Sequence, residues 1–406
     1  MIRLTFICLT TLVTMAVEAQ SPLPKDLVLT KPGADVPTNV AAFTGAWRGL
    51  WGMSLPGALV VEQVDTNGVA EVVYSWGDHP AGLFKAGWSR MEGEISAGKL
   101  HLAEKTGPII DFSMEPDGTL AGTYQINGTT TFATLERIPT NDVAAIIAIA
   151  KTPDVPWTEV KIPVHSQVGS TAGKTLMLQT TIYPADGPGK HPVIIVNHGS
   201  TGGVMPATEV FRGGSEEGLF HSLGYIEVVP MRKGRGASEG PNMEESFWAG
   251  SGTGVDSAVE DLHAVMEYVN TMPGADTNRI LLAGISRGGF LSVIYAGRYP
   301  SNICGVLNFS GGWWGETMWQ ADFNFQQFRA AGKTAKVPQL WLYGDHDSYY
   351  SLGFDEKEFA EFKAAGGTGE MVEVKDLPGD GHMLMFWRNR WEKAVTNYLA
   401  KVMEQK

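Results

Sequence analysis

The chain has 406 residues, a formal net charge of −13 and 43% hydrophobic residues. At about 150 residues per domain this length predicts two or three domains, and the apolar content excludes a wholly disordered chain. The acidic balance argues against nucleic acid as the main partner, because binding to phosphates requires clusters of basic residues.

The N-terminal segment has the pattern of a secretory signal peptide. An apolar run over 4–17 follows Met1-Ile2-Arg3, and Val17-Glu18-Ala19 places small residues at −3 and −1 of a cleavage site. The alternative is a membrane anchor, but the run is shorter than the ~20 residues that a span needs. We therefore expect residues 1–19 to be removed and the mature protein to be periplasmic or secreted, without a membrane span.

The next region differs in composition from the rest of the chain. Residues 20–40 are rich in Pro, Lys, Asp and Thr and are predicted to be a linker. Over residues 41–139, short apolar runs alternate with turn signals such as Pro116-Asp117-Gly118 and Asn127-Gly128, which predicts a small antiparallel β-barrel or sandwich. Its core is expected to be filled by aromatic side chains, namely Phe43, Trp47, Trp51, Trp76 and Trp88.

After a connector over 140–156, strands alternate with helices from 157 to 406. The predicted strands are Leu176–Tyr183, Pro192–Val196, Tyr225–Val229, Arg279–Gly284, Ile303–Phe309, Gln339–Tyr343 and Met371–Val374. The predicted helices are Asn141–Ala150 in the connector, then Val255–Met272, Gly288–Tyr299 and Trp387–Met403. Repeated β-α units of this kind predict a doubly wound, mostly parallel sheet with right-handed crossovers.

The strongest chemical signal is Gly284-Ile285-Ser286-Arg287-Gly288, which stands between a predicted strand and a predicted helix. In that context Gly-x-Ser-x-Gly is typical of a nucleophile elbow, a sharp turn that exposes a serine hydroxyl. The alternative is an ordinary glycine-rich helix start. The strand before it and the helix after it favour Ser286 as a nucleophile.

A serine hydroxyl needs a base to take its proton, and the base needs an acid to orient it. His382 follows the strand Met371–Val374, and Asp345 and Asp347 follow the strand Gln339–Tyr343. These positions lie at the C-terminal strand ends, where α/β sheets collect reactive groups. We predict His382 as the base and Asp347 as the acid, with Asp345 as the alternative.

An oxyanion hole requires two backbone N–H groups. Arg287, the residue after the nucleophile, is expected to supply one. The glycine-containing loop Asn197-His198-Gly199-Ser200 follows an earlier strand, and the Ser200 N–H is the candidate for the other. His198 itself is expected to be structural.

Several of these motifs together resemble the α/β-hydrolases, and most closely the dienelactone hydrolases and related serine peptidases. The shared motifs are His198-Gly199-Ser200, Arg232-x-Gly234-Arg235-Gly236-x-Ser238-x-Gly240, Gly284-x-Ser286-x-Gly288, Gly344-x-x-Asp347 and Gly381-His382. The resemblance implies an α/β-hydrolase fold over about 60% of the chain. It also places Ser286, Asp347 and His382 at triad positions. Dienelactone hydrolases use a cysteine nucleophile, so the serine makes ester hydrolysis the more natural expectation.

The segment between 311 and 336 is rich in aromatic residues. Trp313, Trp314 and Trp319 could form one wall of an apolar substrate pocket, or they could simply pack in the core. No cofactor is expected, and no spacing of His, Cys or Glu typical of a metal site occurs in the sequence.

The sequence therefore predicts an exported serine hydrolase that cleaves a small-molecule carboxylic ester. A peptidase of the same superfamily is the nearest alternative. A hypothesis of a different class is a wall- or glycan-binding protein, in which the β-domain binds the polymer and the α/β domain has no catalytic activity. The intact set of Ser286, Asp347 and His382 favours the enzyme, and the oligomeric state is left open.

Overall fold

The computed structural model describes residues 21–52, 55–79, 84–103, 107–151, 155–200, 210–213, 216–244 and 250–404. The predicted signal peptide, residues 1–19, lies outside the described residues. In the part of the chain that is described, no helix is both long enough and apolar enough to cross a membrane.

The N-terminal domain is a closed barrel of eight antiparallel strands. Its elements are α1 (Thr38–Ala41), β1 (Gly45–Trp51), β2 (Leu55–Val64), β3 (Val69–Trp76), β4 (Gly87–Ser96), β5 (Lys99–Ala103), β6 (Ile109–Met114), β7 (Leu120–Ile126) and β8 (Thr129–Arg137). Strand β1 pairs with both β2 and β8, which closes the barrel. Asn127 and Gly128 connect β7 to β8 with φ of 50° and 78°, as expected of a tight hairpin turn.

The barrel interior is filled by side chains. Phe43, Trp47 and Trp51 are buried in it, and Trp76 packs against the same cluster. The prediction for Trp88 was wrong, because this residue is 43% exposed. On β4 the side chains alternate, and Trp88 falls on the outward face beside Arg90, whose guanidinium lies 6.0 Å from the ring centroid.

Residues 21–40 do not form the linker that their composition predicts. Leu23 and Leu27 are buried against outward-facing Val60 and Val73 of the barrel wall and against Ile146 of the connector helix. This segment therefore covers one outer face of the barrel, where its buried leucines and its hydrogen bonds to Glu62 and Ser75 fix its position.

The C-terminal domain alternates strands and helices. Its elements, including the connector helix, are α2 (Val143–Ala150), β9 (Thr158–His165), β10 (Thr175–Tyr183), β11 (His191–Asn197), α3 (Glu216–Ser222), β12 (Ile226–Pro230), α4 (Gly250–Thr271), β13 (Ala275–Ile285), α5 (Arg287–Arg298), β14 (Ile303–Phe309), α6 (Asp322–Gly332), β15 (Gln339–Gly344), α7 (Leu352–Ala364), β16 (Gly369–Val374) and α8 (Arg388–Glu404). A short 3₁₀ helix, Gly381–Phe386, stands between β16 and α8.

These strands form one sheet with the order β9-β10-β12-β11-β13-β14-β15-β16. Strand β10 runs antiparallel to β9 and β12, and the strands from β12 to β16 are parallel. A hydrophobic cluster lies on each face of the sheet. The predicted fold class, a mostly parallel doubly wound sheet preceded by a small antiparallel β-domain, is confirmed. The parallel arrangement brings the C-terminal ends of β11, β13, β14, β15 and β16 to one edge.

Candidate active site

Ser286 occupies a sharp turn between β13 and α5. Its backbone has φ 54° and ψ −124°, a conformation that residues with a side chain rarely adopt. The flanking glycines make this turn possible, because a Cβ at Gly284 would collide with the Gly288 backbone and one at Gly288 with the Asn197 carbonyl. The Ser286 N–H donates to the Phe309 carbonyl at 2.9 Å, which fixes the turn to the end of β14.

His382 and Asp347 form a hydrogen-bonded pair. His382 Nδ1 lies 3.0 and 3.1 Å from the two carboxylate oxygens of Asp347. The Asp347 side chain has no solvent exposure and also accepts from the N–H groups of Tyr349 and Tyr350 at 2.7 and 3.1 Å. Because an ionised carboxylate can only accept, Nδ1 carries the proton and Nε2 is left as the acceptor.

The other aspartate of this loop points elsewhere. The Asp345 carboxylate accepts from the N–H groups of Asp376 and Leu377, at 2.8 and 3.4 Å, and so ties the end of β15 to the end of β16. The structure thus brings Asp347, rather than Asp345, to His382.

The end of β14 connects the serine turn with the histidine segment. Phe309 binds the Ser286 N–H, and the next residue, Ser310, donates from its hydroxyl to the Gly381 carbonyl at 3.5 Å. Gly381 directly precedes His382, whose ring centroid lies 4.5 Å from that of Tyr349. Ser286 and His382 are therefore held at the same edge of the sheet by adjacent strand ends.

The loop after β11 lies over the serine. A Cβ at Gly199 would stand 3.3 Å from the Ser286 Cβ. The Gly199 carbonyl accepts from His198 Nδ1 at 2.7 Å and from the Arg232 guanidinium at 3.2 Å. Since C=O and N–H point in opposite directions across a trans peptide, the Ser200 N–H is aimed away from Arg232. Ser200 is exposed, as a donor to a substrate needs to be.

A buried ion pair holds this loop, and sequence reasoning gave it no role. Arg232 and Glu244 are both buried, with guanidinium–carboxylate distances of 2.5 and 3.0 Å. Burial opposes ionisation of Glu244, but the charge and hydrogen bonds of Arg232 lower its pKa to about 2. Arg232 also donates to the His198 carbonyl at 2.7 Å. The only sequence signal was the position of Arg232 in the motif shared with the α/β-hydrolases.

His198 has the surroundings of a structural residue. Its Nδ1 donates to the Gly199 carbonyl, and its Nε2 accepts from the Arg232 N–H at 3.1 Å. Burial, followed by the charge of Arg232, lowers the pKa of His198 well below its usual value. The imidazole is therefore neutral and has both nitrogens engaged.

The three tryptophans do not form one wall. Trp313 and Trp314 are buried, and the guanidinium of Arg287 lies 5.0 and 5.3 Å from their ring centroids. Arg287 Nε also donates to the Trp313 carbonyl at 3.2 Å, so these two tryptophans hold the residue after Ser286. Trp319, in contrast, is 78% exposed.

Behind the histidine pair lies a buried acidic cluster on α7. Asp355 and Glu358 are fully buried, and Glu358 accepts from the side-chain amide of Asn324 at 2.8 Å. Asn324 in turn accepts from the N–H groups of Trp313 and Trp314, both at 3.1 Å. Burial, then the neighbouring Glu358 and Asp347, raise the pKa of Asp355 to about 10. Among the described residues, no three His, Cys, Asp or Glu side chains are grouped so as to hold a metal ion.

Comparisons with known proteins agree with the class that this topology and turn define, the α/β-hydrolase fold. The phospholipase/carboxylesterase family model matches residues 243–400, a range that includes Ser286, Asp347 and His382. Residues 243–400 are therefore similar to the phospholipase/carboxylesterase family, and the C-terminal domain has the α/β-hydrolase fold. A comparison with curated proteins gives no match.

Solved structures similar to this chain include an esterase of Pyrococcus furiosus, with 16% identity, a TM-score of 0.45 and coverage of 61% of this chain and 90% of that one. Another is acetyl xylan esterase 1 of Thermoanaerobacterium sp., with 13% identity, a TM-score of 0.43 and coverage of 62% and 84%. A third is a dienelactone hydrolase-like promiscuous phosphotriesterase from metagenomic libraries, with 13% identity, a TM-score of 0.43 and coverage of 61% and 98%.

Proposed function

We propose that this protein is a serine esterase in which Ser286, His382 and Asp347 hydrolyse a carboxylic ester through an acyl-enzyme. The observation that carries the proposal is the strained turn of Ser286, at the same sheet edge as the buried Asp347–His382 pair. Backbone strain of this kind is retained where it serves a function, because elsewhere it only lowers stability.

The reaction follows from these positions. Ser286 Oγ attacks the ester carbonyl carbon while His382 Nε2 takes the hydroxyl proton, and the N–H groups of Ser200 and Arg287 bind the negative charge that forms on the carbonyl oxygen. The tetrahedral adduct collapses, and His382 returns the proton to the departing alcohol. Water then attacks the acyl-enzyme with His382 again as base, which releases the acid and restores Ser286.

The exposed aromatic residues near the histidine favour a substrate with an apolar group. Tyr349 is 55% exposed and its ring packs on His382, so a substrate bound next to His382 would contact the Tyr349 ring. The Glu316 N–H donates to the Tyr349 carbonyl at 3.0 Å, which places the turn that carries exposed Met318 and Trp319 beside Tyr349. We infer an aryl or alkyl group on the ester rather than a charged one.

The test combines a fluorophosphonate probe with aryl esters of increasing acyl length. We expect the wild-type protein to be labelled and to hydrolyse at least one ester. Ser286→Ala should lose labelling and reduce kcat by about 10⁴-fold or more, whereas Ser301→Ala, a change at an exposed serine, should behave as wild type. Matched anilides should react more slowly than esters, since an amine is the poorer leaving group. A folded wild-type protein without labelling or hydrolysis would overturn the proposal.

We also propose that the protein is exported after removal of residues 1–19. The support is the signal-peptide pattern of the N-terminal sequence. Intact mass of the protein recovered from the periplasm or medium of a bacterial host should correspond to a chain that starts at Gln20. A cytoplasmic protein that retains residues 1–19 would contradict export and leave the esterase proposal untouched.

A further inference from the structure

The outward face of the barrel strand β8 has an unusual set of contacts. Side chains alternate along this strand, and Ala133 and Leu135 are fully buried inside the barrel. Phe132, Thr134 and Glu136 therefore point outward. All three contact the segment 379–390 of the C-terminal domain, which contains His382.

Phe132 makes the apolar part of this contact. Its ring lies 5.5 Å from that of Trp387, centroid to centroid, in an edge-on arrangement with an interplanar angle of 66°. The same ring covers Gly379, where a Cβ would stand 2.6 Å from Phe132 Cε1. Gly379 and Trp387 flank His382 on either side, and Trp387 is almost completely buried.

Polar contacts continue along the same face. The Thr134 hydroxyl donates to the Phe386 carbonyl at 2.7 Å, and Glu136 lies 3.3 Å from Arg388 Nη1. From a neighbouring part of the barrel, Glu115 forms an ion pair with Arg390. The carbonyl of Phe386 ends the 3₁₀ helix that carries His382, so the barrel satisfies a backbone group of that helix directly.

The hydrolase domain supports the histidine segment as well, because Leu384 and Met385 are buried in a core cluster of its sheet and Trp391 Nε1 donates to the Met385 carbonyl at 3.2 Å. A 3₁₀ helix of six residues has poorer hydrogen-bond geometry than an α-helix and depends on its surroundings. At its start, Asp380 accepts from the His382 N–H at 3.0 Å and from the Ser348 hydroxyl at 2.6 Å. The hydrolase domain thus holds the first turn and the buried Leu384 and Met385, and the barrel adds the contacts to Phe386 and Trp387.

We propose that the barrel is a structural part of the active site, in which Phe132 and Thr134 are positioning residues for His382. This inference rests on the proposed function, because it assigns His382 the role of base. The barrel then fixes the segment that aims the imidazole at Ser286. In this proposal the barrel supports the catalytic histidine, whereas an independent binding domain would not contribute to catalysis.

Four single variants test the proposal in the full-length protein. Phe132→Ala removes the ring over Trp387 and Gly379, and Phe132→Leu keeps an apolar side chain there. Thr134→Val removes the hydroxyl at constant shape. Thr130→Val is the matched control, because Thr130 lies on the same face of β8 but is exposed. For each variant we would measure kcat and KM on an aryl ester and hydrogen–deuterium exchange of the peptide that covers 379–390.

We expect Phe132→Ala to lower kcat by about 10- to 100-fold with little change in KM, because displacement of a catalytic group by ~1 Å has effects of this size. Exchange in 379–390 should rise, while exchange in the barrel strands β2 and β3 stays as in wild type. Thr134→Val should show the same effect at smaller size, Phe132→Leu should recover most of kcat, and Thr130→Val should match wild type.

Failure of this inference is distinguishable from failure of the esterase proposal. If wild type is an esterase and Ser286→Ala is inactive, yet Phe132→Ala and Thr134→Val keep full kcat and normal exchange in 379–390, the positioning role is wrong and the esterase stands. A fall of kcat accompanied by faster exchange throughout the barrel would also overturn it, since the cause would then be unfolding of the barrel.

Discussion

The two sides of the site are built differently. The serine side, which comprises the turn 284–289 and the loop 197–200, is held by close backbone contacts at glycines and by the Arg232–Glu244 pair. The histidine side, which comprises the loop 344–350 and the segment 379–390, is held by side chains from the barrel and by the elements around α7.

The two sides therefore differ in how far away along the sequence their supporting residues lie. A strand, two glycines and a helix start that are adjacent in sequence define the shape of the serine turn, and its further contacts, with Asn197 and Phe309, lie within the same domain. Support of the histidine side comes from both domains, because Thr134 and Phe386 are 252 positions apart. A change in the barrel should therefore affect the histidine side and leave the serine turn in place.

The largest expected effect on the histidine side comes from Asp347→Asn. An amide at this position can donate to His382 and favours the wrong imidazole tautomer, so we expect kcat for an aryl ester to fall by about 10⁴-fold with little change in the unfolding midpoint. Steady-state kinetics and urea unfolding measure the two quantities.

Asp345→Asn is the matched control, since Asp345 lies two residues away and binds the backbone of 376–377 instead of His382. We expect its kcat to stay within a few-fold of wild type. Equal losses of kcat in the two variants would mean that the assignment of the acid is wrong.

These two aspartates also show where sequence reasoning reaches its limit. Along the chain the sequence has Ser286, then an aspartate, then His382, and each follows a predicted strand. This order was sufficient to select the candidates, because parallel strands bring their C-terminal ends to one edge of the sheet. It left two aspartates open, since the direction of a loop side chain depends on hydrogen bonds with other loops. The N–H groups of Tyr349 and Tyr350 orient Asp347, and that of Asp376 orients Asp345.

A change on the serine side should have the next largest effect. Arg232→Met leaves the Glu244 carboxylate buried without its partner, which is expected to lower the free energy of unfolding by about 3–5 kcal/mol. The variant also removes the donors to the carbonyls of His198 and Gly199, so kcat should fall with it. Chemical denaturation at pH 7 measures the first effect and ester hydrolysis the second.

The control is Arg329→Met, which breaks the pair between Arg329 and Glu361, with a distance of 2.7 Å but with both side chains partly exposed. Such a surface pair contributes about 0–1 kcal/mol, and kcat should be unchanged. Adding Glu244→Leu to Arg232→Met should recover part of the lost stability, because the uncompensated charge is then gone. No recovery in the double variant would mean that the loss has another origin.

The packing of some segments and the roles of some side chains could not be predicted from the sequence, and the reasons are physical. The strand pattern of the hydrolase sheet is visible because β11, β13 and β14 each contain an apolar run that is buried on both faces. The segment 21–40 has a polar composition, and its apolar contacts with the barrel come from scattered residues such as Leu23, Leu27 and Val40. In the sequence, Phe132 has only the pattern of a strand residue. Its role depends on contacts with Trp387 and Gly379, which are too far away along the chain for a local pattern to predict.

A pH dependence of stability is expected to arise behind Asp347. Burial, then Glu358 and Asp347, raise the pKa of Asp355 from 3.8 to about 10. An acid whose pKa is higher in the folded state stabilises the fold fully below its unfolded value, and this contribution is lost as pH rises toward 10. Between pH 5 and pH 8, Asp355 should therefore reduce the free energy of unfolding by about 1.4 kcal/mol per pH unit.

Asp355→Asn keeps the shape of the protonated acid and removes this slope. Urea unfolding at pH 5, 6.5 and 8 should give a variant whose stability relative to wild type grows by about 1.4 kcal/mol per pH unit as pH rises. Glu356→Gln, at the next and exposed position of α7, should keep the slope of the wild-type curve between pH 5 and pH 8. Parallel curves for Asp355→Asn and wild type would show that Asp355 is ionised throughout this range. The buried cluster would then place a second negative charge beside Asp347.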